Sequence, residues 1–164
     1  MVEVYGGLYT GLREQDADAV GVGARWAAYI PVYRVTNILS PRIAIDSIHP
    51  VGEVPLPFYD YLTASDFRGF DGRRDKVAMV ASIDYRWTLM KFIAARAFGD
   101  ATNVAPDLSS LGLDRARYAW GFGFDLHSSH AQLGRVAVAF SEGDVRLFFS
   151  LGVASSGFGD RQHR

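Results

Sequence analysis

The chain has no cysteine, which excludes disulfide staples and thiolate metal sites. It has almost no excess charge either. In 164 residues, 17 Lys and Arg stand against 18 Asp and Glu, a formal net charge of −1. Such a balance offers no general electrostatic attraction to nucleic acid or to an anionic surface. No run approaches the roughly 18 apolar residues of a membrane-spanning helix, and mean hydropathy is +0.03. The lack of such a run does not bear on strands that cross a membrane, because alternating strands average to an unremarkable hydropathy.

What is present is glycine (17 residues), aromatic side chains (13%) and alternation. The length fits one domain with a sizeable core. The clearest stretch is Lys76–Trp87, KVAMVASIDYRW. Val77, Met79, Ala81, Ile83, Tyr85 and Trp87 share one parity; Lys76, Ala78, Val80, Ser82, Asp84 and Arg86 share the other. Successive strand side chains point to opposite faces, so one face is oily and the other bears charge. Soluble strands usually run about 5–6 residues, whereas a membrane-crossing strand needs roughly 9–11. This stretch satisfies the longer requirement.

Similar alternation predicts about eight strands and almost no helix. They are Val2–Leu12, Val20–Ile30, Ile38–Ile48, Lys76–Trp87, Lys91–Asp100, Ala116–His127, Leu133–Ser141 and Val145–Val153. Pro41 is a blemish in the third, since proline cannot donate to a ladder. In Ala116–His127, Tyr118, Trp120, Phe122, Phe124 and Leu126 oppose Arg117, Gly121, Gly123 and Asp125. Two long loops are expected, 49–75 and 101–115, with a polar turn over 13–18, short turns at 88–90 and 128–132, and a polar tail over 154–164. The expected organisation is one β-domain over 1–153 followed by that tail.

Charges segregated from large apolar residues, and short connections alternating with longer ones, suit an antiparallel up-and-down transmembrane β-barrel with a polar lumen. A soluble β-barrel closed around a small apolar ligand alternates in the same way. The two differ in which face points inward. Strand length and the aromatic face of Ala116–His127 favour the membrane form.

Three motifs follow one another in order. The first loop holds Asp66-Phe67-Arg68-Gly69-Phe70. Next come Asp84-Tyr85-Arg86-Trp87-Thr88-Leu89, and then Ala97-Phe98-Gly99-Asp100-Ala101-Thr102. The set resembles the C-terminal barrel of the outer-membrane insertase and translocase family, the BamA/TamA type, also called bacterial surface antigen. That family has an Arg-Gly-aromatic loop tip, a strand ending in a Tyr-Arg-Trp-Pro-Leu-like turn, and a strand carrying Phe-x-Asp-x-Gly. Gly52-Glu53-Val54-Pro55-Leu56-Pro57-Phe58 looks like the approach to that loop. The resemblance covers about residues 38–152. Thr88 stands where the family has its turn proline, and Thr102 where it has the last glycine.

The resemblance implies that the tip Phe67, Arg68, Gly69 and Phe70 folds back into the lumen. Arg68 would then pair with Asp100 beside Phe98, with Asp84 and Asp125 as further inward carboxylates. Tyr85, Trp87, Tyr118, Trp120, Phe122 and Phe124 would form the lipid-facing girdle. It further implies a bacterial outer-membrane location, the lipid bilayer and client outer-membrane or secreted proteins as partners, no nucleic acid, no cofactor and no catalysis. Family barrels have about twice as many strands, so self-association or an N-terminal barrel half would complete the wall. Met1-Val2-Glu3-Val4 enters a strand pattern without a leader; the expectation is that a leader was removed or that this is the C-terminal piece of something longer.

Other chemistry is weakly signalled. His127 and His130 sit at a turn without cysteine or a flanking carboxylate, and read as solvated rather than zinc-binding. Gly21-x-Gly23 and Gly121-x-Gly123 lie inside strands, not between a strand and a helix, so they are not dinucleotide fingerprints. Asp84 and Asp100 have no spacing that favours a glycosidase pair over a salt-bridge network. No Gly-x-Ser-x-Gly elbow is present. Arg73, Arg74 and Lys76 read as loop charge.

Overall fold

The computed structural model describes residues 1–9, 18–51, 61–128 and 132–151. Nine strands occupy them: β1 (Val2–Tyr9), β2 (Asp18–Ala27), β3 (Ile30–Val32), β4 (Arg34–Val51), β5 (Val77–Met90), β6 (Ile93–Ala105), β7 (Arg117–His127), β8 (Gln132–Ser141) and β9 (Asp144–Leu151). They form one antiparallel up-and-down sheet in the order β1-β2-β4-β5-β6-β7-β8-β9, with β3 paired to β4 beyond the end of β2. The described residues are thus all-β, and the sheet they form is open, with β1 and β9 as its edges. Two single 3-10 turns, Leu108–Ser110 and Leu113–Arg115, lie between β6 and β7.

The register is strongly staggered. The Ala27 amide donates to the Met1 carbonyl. From there, direct partners run Ala27, Arg42, Ser82, Asp100, Ala119, Ser141 and Asp144. The line starts beside the first residue of β1 and ends on the first residue of β9, although the two strands run in opposite directions. Across eight strands the sheet has slipped by about a strand length. Slip of this kind accompanies the strand tilt of barrel walls.

Several expected boundaries move. The second strand breaks at Ala28 and Tyr29 into β2 and β3. Pro41 sits opposite that break and is tolerated there. Its carbonyl accepts from the Ala28 amide, so its missing donor would have faced the same gap between β2 and β3. The third strand is longer than expected, Arg34–Val51, which takes His49–Val51 out of the loop. Residues 88–90 belong to β5, and the turn is Lys91 and Phe92. Residues 101–105 extend β6 instead of opening a loop. Their polar side chains are tied down: the Thr102 hydroxyl donates to the Met79 carbonyl (3.0 Å) and the Asn103 amide to that of Gly112 (2.8 Å). The loop approach at 52–58, most of the turn at 13–18, His130 and the tail over 154–164 lie outside the described residues.

The sheet is inside-out by the standards of a soluble core. Most of its buried apolar residues are alanines, and Arg25, Asp84, Asp100 and Asp125 are buried too. Large apolar side chains face outward instead: Trp26, Ile43, Ile83, Trp120, Phe122, Val136 and Phe149 are among the exposed ones. The loop between β4 and β5 lies on the charged face. Its described part is closed at the base by a two-way backbone bridge between Leu62 and Asp75 (2.9 and 3.1 Å).

Candidate functional site

Parity brings the inward charges together. Asp84 on β5 stands opposite Phe98 on β6, Asp100 on β6 opposite Ser82 on β5, and Asp125 on β7 opposite Ala94 on β6. The side chains of Asp84, Asp100 and Asp125 are 6%, 0% and 2% exposed. Carboxylates this buried need partners.

Arg68 supplies the first. Its Nε donates to Asp100 Oδ2 (2.7 Å) and its NH2 group to Asp100 Oδ1 (2.5 Å). Its NH1 and NH2 groups donate to Asp84 Oδ1 and Oδ2 (2.7 and 3.2 Å). The Arg68 amide also donates to Asp100 (3.2 Å), and the guanidinium carbon lies 3.7 Å from the centre of the Phe98 ring. One planar cation therefore clamps two strands and stacks on a ring, a geometry that needs the arginine fork. Burial alone would lower the Arg68 pKa, but the hydrogen bonds to Asp100 and Asp84 outweigh it and hold the group above its ordinary value.

The network continues beyond the tip. Arg42 donates to Asp84 (2.7 Å), and Arg96 bridges Asp84 (3.1 Å) and Asp125 (3.0 Å). Arg135 donates to Asp125 (2.8 Å), and Arg86 lies 3.5 Å from it. Five guanidinium groups thus serve three carboxylates across β4 to β8 and the tip. Arg68 meets its expected partners Asp100, Phe98 and Asp84. Among the described residues it makes no bond to Asp125, which joins the network through Arg96. The resemblance did not mark Arg96, and its one sequence signal is sharing a parity with Asp100.

The rest of the tip is seated by packing. Phe67 is 5% exposed among Ala64, Ala78, Val80, Val104 and Ala119. A side chain at Gly69 would start 2.6 Å from the Phe67 ring and 2.9 Å from the Ala119 methyl, so this close approach requires glycine. The Gly69 carbonyl accepts from Arg146 on β9 (2.7 Å), and the Phe70 amide donates to the Ser141 hydroxyl on β8 (3.3 Å). The Phe70 ring itself is exposed.

Behind the tip, Arg73 grips Asp71 through its amide (3.1 Å), its Nε (2.9 Å) and its NH2 group (2.8 Å). Burial would raise the Asp71 pKa, but the hydrogen bonds from Arg73 prevail and lower it. A depressed carboxylate pKa gives stability that is full above its unfolded-state value and is lost as pH falls through the folded value. The expected result is that Asp71 titrates below the ordinary carboxylate value of about 3.8 and that the 71–73 turn loosens only under stronger acid. Carboxyl carbon shifts followed by NMR read this directly, and titration at or above the ordinary value would show that the grip is absent.

The expected girdle residues all lie on the outward face. Tyr118, Trp120, Phe122 and Phe124 are about half exposed. Tyr85 and Trp87 stack on each other with ring centres 5.4 Å apart. Among the described residues no cluster of three or more His, Asp or Glu has metal-binding geometry. No family model matches the chain, and no curated protein matches it in sequence.

Proposed function

We propose that this chain forms part of the wall of an outer-membrane β-barrel of the BamA/TamA type, with a luminal loop locked by Arg68, and that it serves insertion or translocation of proteins. The observation that carries the reading is the inverted distribution of side chains. A wide apolar outer face is matched with an inner face of small residues and paired charges. Monomeric soluble proteins rarely expose so large an apolar surface. A bilayer is the solvent that such a surface suits, while the network pairs the inner carboxylates Asp84, Asp100 and Asp125 with arginines. The ordered motifs around Arg68, Asp84 and Asp100 add the family likeness. In this reading the wall needs no cofactor, and its role is mechanical.

The alternative, a soluble barrel around an apolar ligand, requires Val77, Met79, Ile83, Tyr118, Trp120 and Phe122 to converge on one interior. Val77, at the start of β5, is buried and Met79 is half-buried, but the exposure of Ile83, Tyr118, Trp120 and Phe122 on the face opposite Asp84 and Asp100 speaks against it. Folding into lipid vesicles separates the readings. The expected result is a blue shift of tryptophan emission and protease protection only with vesicles present. Phe122→Asp is expected to weaken that folding by about 1–2 kcal/mol, since carboxylates on a lipid face cost somewhat less than buried lysine or arginine. Cooperative melting in plain buffer, with emission indifferent to lipid, would overturn the membrane reading.

A further inference from the structure

We infer that Arg146 is a positioning residue that couples the seat of the loop tip to the edge strand β9. Arg146 lies on the inner face of β9, opposite Ala139 of β8. Its NH1 group donates to the Gly69 carbonyl, 77 residues away in the chain (2.7 Å). That is its one side-chain hydrogen bond among the described residues, and it reaches a neutral backbone oxygen rather than a carboxylate. The Arg146 side chain is itself exposed, but it places a charged donor on the carbonyl of buried Gly69, a stronger bond than a neutral donor would make there.

Strand β9 has few other ties. Among the described residues it pairs on one side only, with β8, and its outward residues Val145, Leu147, Phe149 and Leu151 are 64–93% exposed. Its inner face is anchored by Arg146 and by Phe148, which packs against Phe98, Ala137 and Ala139. Phe98 is the ring under the Arg68 guanidinium. Two routes therefore join β9 to the tip: Arg146 to Gly69, and Phe148 through Phe98 to Arg68. Strand exchange is fastest where contacts are few, so β9, an edge strand with two inner anchors that both lead to the tip, is open to influence from it. Coupling between two sites is reciprocal. Unseating the tip frees β9, and fixing β9 holds the tip. This coupling is a property of the wall itself and stands apart from what the barrel handles, so vesicle folding can fail while the coupling holds.

Hydrogen exchange by mass spectrometry on the folded chain tests both directions. Arg146→Ala is expected to raise exchange about tenfold at the tip amides of Phe67, Arg68 and Phe70. Arg68→Ala, a change on another element, is expected to raise exchange along β9 by a similar factor. Arg146→Lys retains a donor for the Gly69 carbonyl and should restore most of the protection. Phe148→Ala reads the second route by the same measurement and keeps the question open to test if Arg146→Ala does not fold. Unchanged β9 exchange in Arg68→Ala overturns the inference. So does an Arg146→Lys variant that behaves like the alanine.

Discussion

Arg68→Ala is expected to destabilise the folded sheet by about 3–5 kcal/mol, the usual cost of leaving buried charges unpaired. The substitution removes four hydrogen bonds to Asp84 and Asp100 made by the guanidinium. Asp84 keeps Arg42 and Arg96, but Asp100, with its side chain fully buried, keeps only the Arg68 amide among the described residues. Arg68→Lys is expected to recover less than half of the loss. An ammonium is a point charge and cannot hold two carboxylates while stacking on Phe98. Asp100→Ala should resemble Arg68→Ala, and the double variant should cost far less than the sum, because both single changes break the same unit. Urea unfolding followed by tryptophan emission measures each. An unchanged midpoint in Arg68→Ala would remove the lock from the account.

Gly121→Leu is the second large effect, about 3 kcal/mol or more, at the top of the range for overpacking. Gly121 faces inward on β7 between Phe98 of β6 and Ala139 of β8. Even a Cβ there would collide with the Phe98 ring and the Val138 carbonyl oxygen, with the Ala139 Cα 3.0 Å away. Two of these are backbone atoms and cannot rotate aside. The third is the ring that Arg68 stacks on, so it moves only by unseating the tip. Gly99 provides the internal control. It faces outward, with only an Ile83 methyl 3.6 Å from where a Cβ would stand. Gly99→Ala is expected to lie within about 0.5 kcal/mol of the parent, as surface changes do. Equal unfolding midpoints for Gly121→Leu and Gly99→Ala would show that the β7 clash is relieved by some other movement.

Much of this sheet was legible from parity. In β5 and β7 the charges and the rings separate completely, and the structure keeps every one of them on its expected face. Boundaries were harder where one physical signal hid another. Thr102 and Asn103 look like loop residues until their side-chain hydrogen bonds to Met79 and Gly112 are seen. The break between β2 and β3 depends on how Pro41 meets Ala28 across the sheet, and no local pattern announces that. For the site, Arg68 with Asp100 and Asp84 was implied by the resemblance of motifs lying within a short span of chain. Arg96 as a bridge needed the register of three strands. Arg146 needed a contact between residues 77 apart, which single-chain periodicity does not encode.

That difference in separation also orders the assembly of the site. Arg68 lies 16 residues from Asp84 and 32 from Asp100, and both carboxylates sit on the β5–β6 hairpin. The Arg146 tie closes a span of 77. With loop-closure entropy growing as the logarithm of length, the longer closure costs about 1.4 kcal/mol more than the shortest one. A hairpin and the loop just before it hold nearly all that the clamp requires. In chain entropy alone, the tip can therefore seat on β5 and β6 more cheaply than it can reach β9.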